Sequence, residues 1–160
     1  MNELSTMVEG REIVVDEVLP HTPDQVWKTL TTPELMGRWL MTPTGFAPKK
    51  GTHFTYRTTP AGEWDGTIRC EVLEAEPGRR LVHTWVGGHE SNTEYGAPLD
   101  TVVTWTLTPH DGGTRIRLVH SGFKMPRNDT AFRRMSEGWP KVVETVGAIA
   151  GEDVSSKKSR

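Results

Sequence analysis

A single cysteine, Cys70, among 160 residues excludes an internal disulfide and fits a reducing cytoplasm. A domain of this length can bury enough surface to fold without disulfides or metal. An excess of one charge sign is also missing: 19 basic residues stand against 21 acidic ones, a net charge of −2. That balance argues against a nucleic-acid partner, which calls for a basic excess or stripe. No apolar run approaches the roughly 20 residues that cross a bilayer, so stable membrane anchoring is not expected. The opening "MNELSTMVEG" lacks a basic stretch followed by an apolar one, so no signal peptide is expected and the location reads as cytoplasmic. No G-x-S-x-G, phosphate-binding glycine loop or dinucleotide fingerprint occurs. The histidines His21, His53, His83, His89, His110 and His120 show no H-x-H or H-x₃-H pairing on a helix, and no carboxylate is spaced with them. Neither a metal site nor a cofactor is expected.

Apolar residues are few, at 34%, yet six of them are tryptophan. "REIVVDEVLP" is rich in β-branched residues and predicts a strand that Pro20 closes. Thr22 is a candidate N-cap, with Pro23 at the first helical position, and Val26, Trp27 and Leu30 give that short helix its stripe. Thr32-Pro33 restarts the chain as a second short helix carrying Leu35, Met36, Trp39 and Leu40. Alternation then predicts strands over 51–59, 63–78, 79–88, 100–113 and 114–122, parted by Pro/Gly and Asp-Gly turn signals. Phe132, Met135, Trp139, Val142, Val143, Val146 and Ile149 recur at helical spacing and predict a long amphipathic helix.

This order predicts an α+β fold: a curved antiparallel sheet of about six strands around a long C-terminal helix, with two short helices after the first strand. One domain over 11–150 is expected, with flexible tails at 1–10 and 151–160. Because one helix covers only part of a wide sheet, the remaining space is either filled by large side chains or left as a pocket.

Several stretches carry a family resemblance. "TPDQVWKTLTTPELMGRWL", "GTHFTYR", "DGTIRCEVLEAEPGRRLVHTW", "TWTLTPHDGGTRIRLVHSGF" and "EGWPKVVETV" are similar to the Activator of Hsp90 ATPase homologue 1-like family. That family lies within the helix-grip (Bet v 1/START-like, SRPBCC) superfamily. The resemblance covers roughly residues 11–150. It implies a cavity between sheet and C-terminal helix that often takes small apolar molecules, and it reaches fold more firmly than function.

The expected ligand-binding walls are Trp39, Phe54, Tyr56, Ile68, Cys70, His83, Trp85, Val103, Trp105, Leu118, His120, Met135, Trp139 and Val143. His83 and His120 fall on the inward face, where each reads first as a core histidine bonded to a neighbour and second as a polar contact for a ligand. Cys70 reads as a small buried hydrophobe, with nothing basic beside it in sequence. Glu17 stays open: it faces in if Leu19 does, and is solvated if Val14 and Val18 face in. "GHESNTEYGAPLD" reads as a polar connector or as a gate. Gly138, Trp139 and Pro140 sit together in the long helix. Gly138 is expected to let the helix approach the sheet, Trp139 to fill the core or face a ligand, and Pro140 to bend the helix.

The leading expectation is a non-catalytic protein that binds a small hydrophobic or aromatic ligand. The resemblance also implies two alternatives. One is a polyketide cyclase-like enzyme whose candidate groups are His83, His120, Tyr56 and, if it faces in, Glu17; no catalytic residue is assigned. The other is a module for an Hsp90-type chaperone partner, although the eukaryotic activators carry a further N-terminal domain for which ten leading residues leave no room. A monomer is expected, with an edge-strand dimer as the alternative.

Overall fold

The computed structural model describes the backbone of residues 11–158 and the side chains of residues 11–152. The expected tail at 1–10 lies outside the described residues, as do residues 159–160. The elements run β1 (Arg11–Leu19), α1 (Pro23–Thr31), α2 (Pro33–Trp39), β2 (His53–Arg57), β3 (Thr67–Glu76), β4 (Arg80–Gly87), β5 (Leu99–His110), β6 (Gly113–Phe123) and α3 (Asp129–Lys158). The strands form one antiparallel sheet ordered β1-β6-β5-β4-β3-β2, which leaves β1 and β2 at its edges.

Local chemistry sets these elements. The Thr22 hydroxyl accepts from the Gln25 backbone N–H at 3.2 Å, while the Gln25 side chain accepts from the Thr22 N–H at 2.7 Å. This reciprocal cap starts α1, with Pro23 supplying a pre-set φ. Val26 and Leu30 then fall on its fully buried face. Asp111 and Gly112, both at positive φ, make the two-residue turn from His110 to Gly113 that β5 and β6 need to twist together. A bulge between Val72 and Glu74 shifts the pairing of β3 with β4. Leu73 is exposed there, and Ala75 rather than Glu74 packs on the core.

Alternation holds on the other strands. Ile13, Val15, Leu19, Val103, Trp105, Leu107, Ile116 and Leu118 are buried on the sheet face that the helices cover. The opposite face carries Arg115 and Arg117, both bonded to Asp16, at 2.8 Å and 3.0 Å. This one-sided burial is the helix-grip arrangement that the pattern expects.

The long helix presents Trp139, Val143, Val146, Ile149 and Ala150 to the sheet. Burying each of the larger aliphatic side chains contributes about 1.5–3 kcal/mol. Its close-approach residue is Gly147, where an added Cβ would lie 2.9 Å from Leu19 Cδ2. The expectation that Gly138 plays this part is overturned: an added Cβ there meets nothing within 4 Å. The helix also runs beyond the expected end at 150, staying helical to Lys158. It continues through Pro140, whose missing N–H leaves the Ser136 carbonyl without its helical partner. Pro140 lies on the exposed side, away from the packed stripe.

Trp64 precedes β3 instead of lying within it. It is held by a bridge to Ala61 and by its indole N–H donating to the Thr67 carbonyl at 3.0 Å. Glu17 is exposed although Leu19 is buried, so it shares the inward parity of an edge strand without reaching the covered part of the sheet.

Candidate functional site

The α3 face formed by Ala131, Arg134, Met135, Gly138, Trp139 and Val142 spans an open cavity of about 260 Å³. The offsets of three and four residues put these positions on one side of the helix. Across from them stand Ile68 at the start of β3, Trp85 and Gly87 at the end of β4, and Leu99 at the start of β5. Leu40 and Met41, just past α2, close one flank; Thr58 and Trp64 close another. The roof is the loop from Gly88 to Pro98, which contributes Gly88, Tyr95, Gly96 and Ala97.

The roof is tied down. The Tyr95 hydroxyl donates to the Thr59 carbonyl at 2.7 Å, and Asn92 donates to the Ala61 carbonyl at 2.9 Å. Arg127 donates to the Glu90 carbonyl at 3.0 Å, and Asn128 to the Pro98 carbonyl at 2.7 Å. The Tyr95 ring lies between Trp64, at 5.7 Å, and the Arg134 guanidinium, at 5.2 Å. The stretch 88–98 is thus an anchored cover over the cavity.

The inner wall is a cluster of rings. Trp85 meets Trp139 at 5.8 Å, Trp139 meets Trp105 at 6.0 Å, and Trp105 meets Trp39 at 5.6 Å, with large interplanar angles. Such edge-on contacts suit aromatic quadrupoles. Their polar atoms are also satisfied. Trp39 donates to the Thr29 carbonyl at 2.8 Å. Trp139 Nε1–H donates to His120 Nδ1 at 3.0 Å. Thr101 spends its hydroxyl proton on the Trp85 carbonyl at 2.8 Å, so the 2.7 Å contact between Thr101 and His120 is donated by His120 Nε2–H. One neutral tautomer of His120 satisfies the whole chain. Burial, aided by nearby His83, pushes the His120 pKa down to about 3. His83 bonds the Thr84 carbonyl at 2.9 Å, so its Nδ1 carries the proton; burial lowers its pKa to about 4.

Among the expected site residues, Ile68, Trp85, Met135 and Trp139 line the cavity. Trp39, Phe54, Tyr56, Cys70, His83, Val103, Trp105, Leu118, His120 and Val143 are buried in the packed core beside it. Parity places all of these strand residues on the covered face, but rings in mutual contact fill the middle of the trough. Burial pushes the Cys70 thiol up to about 12 and the Tyr56 phenol well above its ordinary value, which keeps both protonated. His83, His120, Tyr56 and Glu17, the candidates for acid or base work, do not meet in this cavity.

Missing from the expected set are Leu40, Met41, Thr58, Trp64, Gly87, Gly88, Tyr95, Gly96, Ala97, Leu99, Ala131, Arg134, Gly138 and Val142. The helix residues carried a signal: they flank the Met135–Trp139 stripe at helical spacing. Tyr95 carried none, because its place depends on a loop folding back over distant residues.

The fold recurs in known proteins. MLL2253 from Mesorhizobium loti shares 34% identity and superposes with a TM-score of 0.76, covering 89% of this chain and 98% of that one. CalU16 from Micromonospora echinospora, at 23% identity and TM-score 0.67, shares the fold over 91% of this chain and 80% of its own. The Aha1 dimer from Colwellia psychrerythraea does so at 16% identity and TM-score 0.66, over 86% of this chain and 93% of its own. No curated protein matches the sequence. The family model described as Activator of Hsp90 ATPase homolog 1-like protein matches residues 20–150. Sequence, sheet order and long helix agree, and the chain belongs to that family.

Proposed function

We propose that this protein binds a small hydrophobic or aromatic molecule in the cavity between its sheet and C-terminal helix. The observation that carries the reading is the open volume facing Gly138, about 260 Å³ with an almost wholly apolar lining. An apolar cavity of about 150 Å³ stays dry and accepts benzene. This larger space suits a molecule of one or two rings, near the lower end of usual ligand pockets.

A docking surface for a chaperone has less support. The large exposed apolar side chains are Val14 and Val18 on β1 and Leu73 on β3, toward opposite sides of the sheet. Among the described residues they make no single patch of the kind partners use.

Titration with a panel of aromatic compounds, followed through the six tryptophan indole signals by NMR, tests the reading. Saturable shifts at Trp64, Trp85 and Trp139 are expected, with Trp27 unmoved. Ligand at a hundred times its Kd adds about 2.7 kcal/mol of stability. Unresponsive indoles across the panel would sink it.

A further inference from the structure

We propose that the ligand is a monoanionic amphiphile: a compact aromatic or apolar body bearing one carboxylate, which Arg134 holds at the rim. The inference rests on the ligand-binding reading above and adds the chemistry of the head group. Among the described residues, Arg134 is the only charged side chain in the lining. It makes no ion pair among them, whereas Asp16, Glu74 and Glu152 are each taken by other arginines. A cation at the edge of an apolar cavity attracts a charge that the cavity itself does not supply.

Geometry narrows the head group further. The Arg134 guanidinium lies over the Tyr95 ring, 5.2 Å from its centre. That ring is fixed by its hydroxyl bond to Thr59 and by Trp64. Among the described residues the guanidinium makes no hydrogen bond or ion pair beyond this ring contact, so its N–H fork is available to a carboxylate, whose two oxygens it matches. A dianionic phosphate would call for a second cation, and the lining holds none. A neutral head that accepts hydrogen bonds gains less, since the Tyr95 hydroxyl proton already goes to the Thr59 carbonyl and Thr58 is the other hydroxyl present. The apolar body would lie against Trp64, Trp85 and Trp139 in the space that Gly138 leaves.

The test compares β-naphthoate with its methyl ester by calorimetry, on the wild-type protein, Arg134→Gln and Arg134→Lys. Arg134 is exposed on a helix, so both variants are expected to fold. The wild type should hold the acid about tenfold more tightly than the ester. Arg134→Gln should abolish that preference by weakening the acid alone, Arg134→Lys should keep part of it, and added salt should narrow it. Equal affinities in the wild type, or a preference that survives Arg134→Gln, would overturn the carboxylate inference while leaving the cavity reading intact. Binding of neither compound would overturn the carboxylate inference, and the cavity reading falls with it when the whole aromatic panel also leaves the Trp85 and Trp139 indoles unmoved.

Discussion

Gly138 and Gly147 lie on one helix above one sheet, and their surroundings are opposite. At Gly147 the helix sits so close to β1 that a methyl group would press on Leu19. At Gly138 nothing stands within 4 Å of where a methyl group would be. The Gly147 half is closed by aliphatic residues of strands at one end of the sheet, such as Leu19 and Ile116. The Gly138 half is bounded by tryptophans, a loop and the ends of β3 and β4. The rings fill the trough beside the cavity, and the open space lies where the helix carries no side chain at Gly138. Glycine thus serves close packing in one half and an opening in the other.

Acidification probes the border between the halves and should give the largest effect. Folded His83 and His120 stay neutral with pKa values near 4 and 3, while the unfolded chain's histidines protonate around 6.5. The unfolded state therefore binds more protons as pH falls from about 6.5 toward 4. The contribution of these rings is present above that window and lost within it, on the order of 5 kcal/mol by about pH 4.5. Urea denaturation across this range measures the slope. A His120→Gln variant should show a shallower one.

Gly147→Leu should come next, losing about 3 kcal/mol in the same denaturation experiment through overpacking against Leu19. Equal losses from Gly147→Leu and Gly138→Leu would break the contrast between the two sites. Trp139→Phe removes the donor to His120 Nδ1 and leaves that buried nitrogen unpaired. A loss of about 1–3 kcal/mol is expected by thermal melting. The smallest effect is Gly138→Ala: a gain of up to about 1 kcal/mol from helix propensity. Any aromatic ligand should bind more weakly to that variant in the NMR titration, a stabilisation bought at the expense of the cavity.

The strands and helices were legible because burial follows local periodicity. The alternation of Val103, Trp105 and Leu107, and the helical spacing of Trp139, Val143 and Val146, each report one face leaving water. The capping pair Thr22 and Gln25 and the Asp111-Gly112 turn are local as well, settled by bonds or dihedrals within four residues. The register slip after Val72 was not legible, since a bulge depends on the partner strand.

The same logic explains why the covered face could be read and the cavity could not. Motif resemblance was enough to specify the family, and residue order and pattern the sheet with its long helix and the candidates for burial, Tyr56 and His120 among them. Which of those candidates touch empty space was decided when five separate segments met. A void is defined by distances between Met41, Trp64, Trp85, Tyr95 and Gly138, and no local periodicity encodes them. Desolvation acts on each face separately, whereas a cavity depends on how far the packed rings let those faces close.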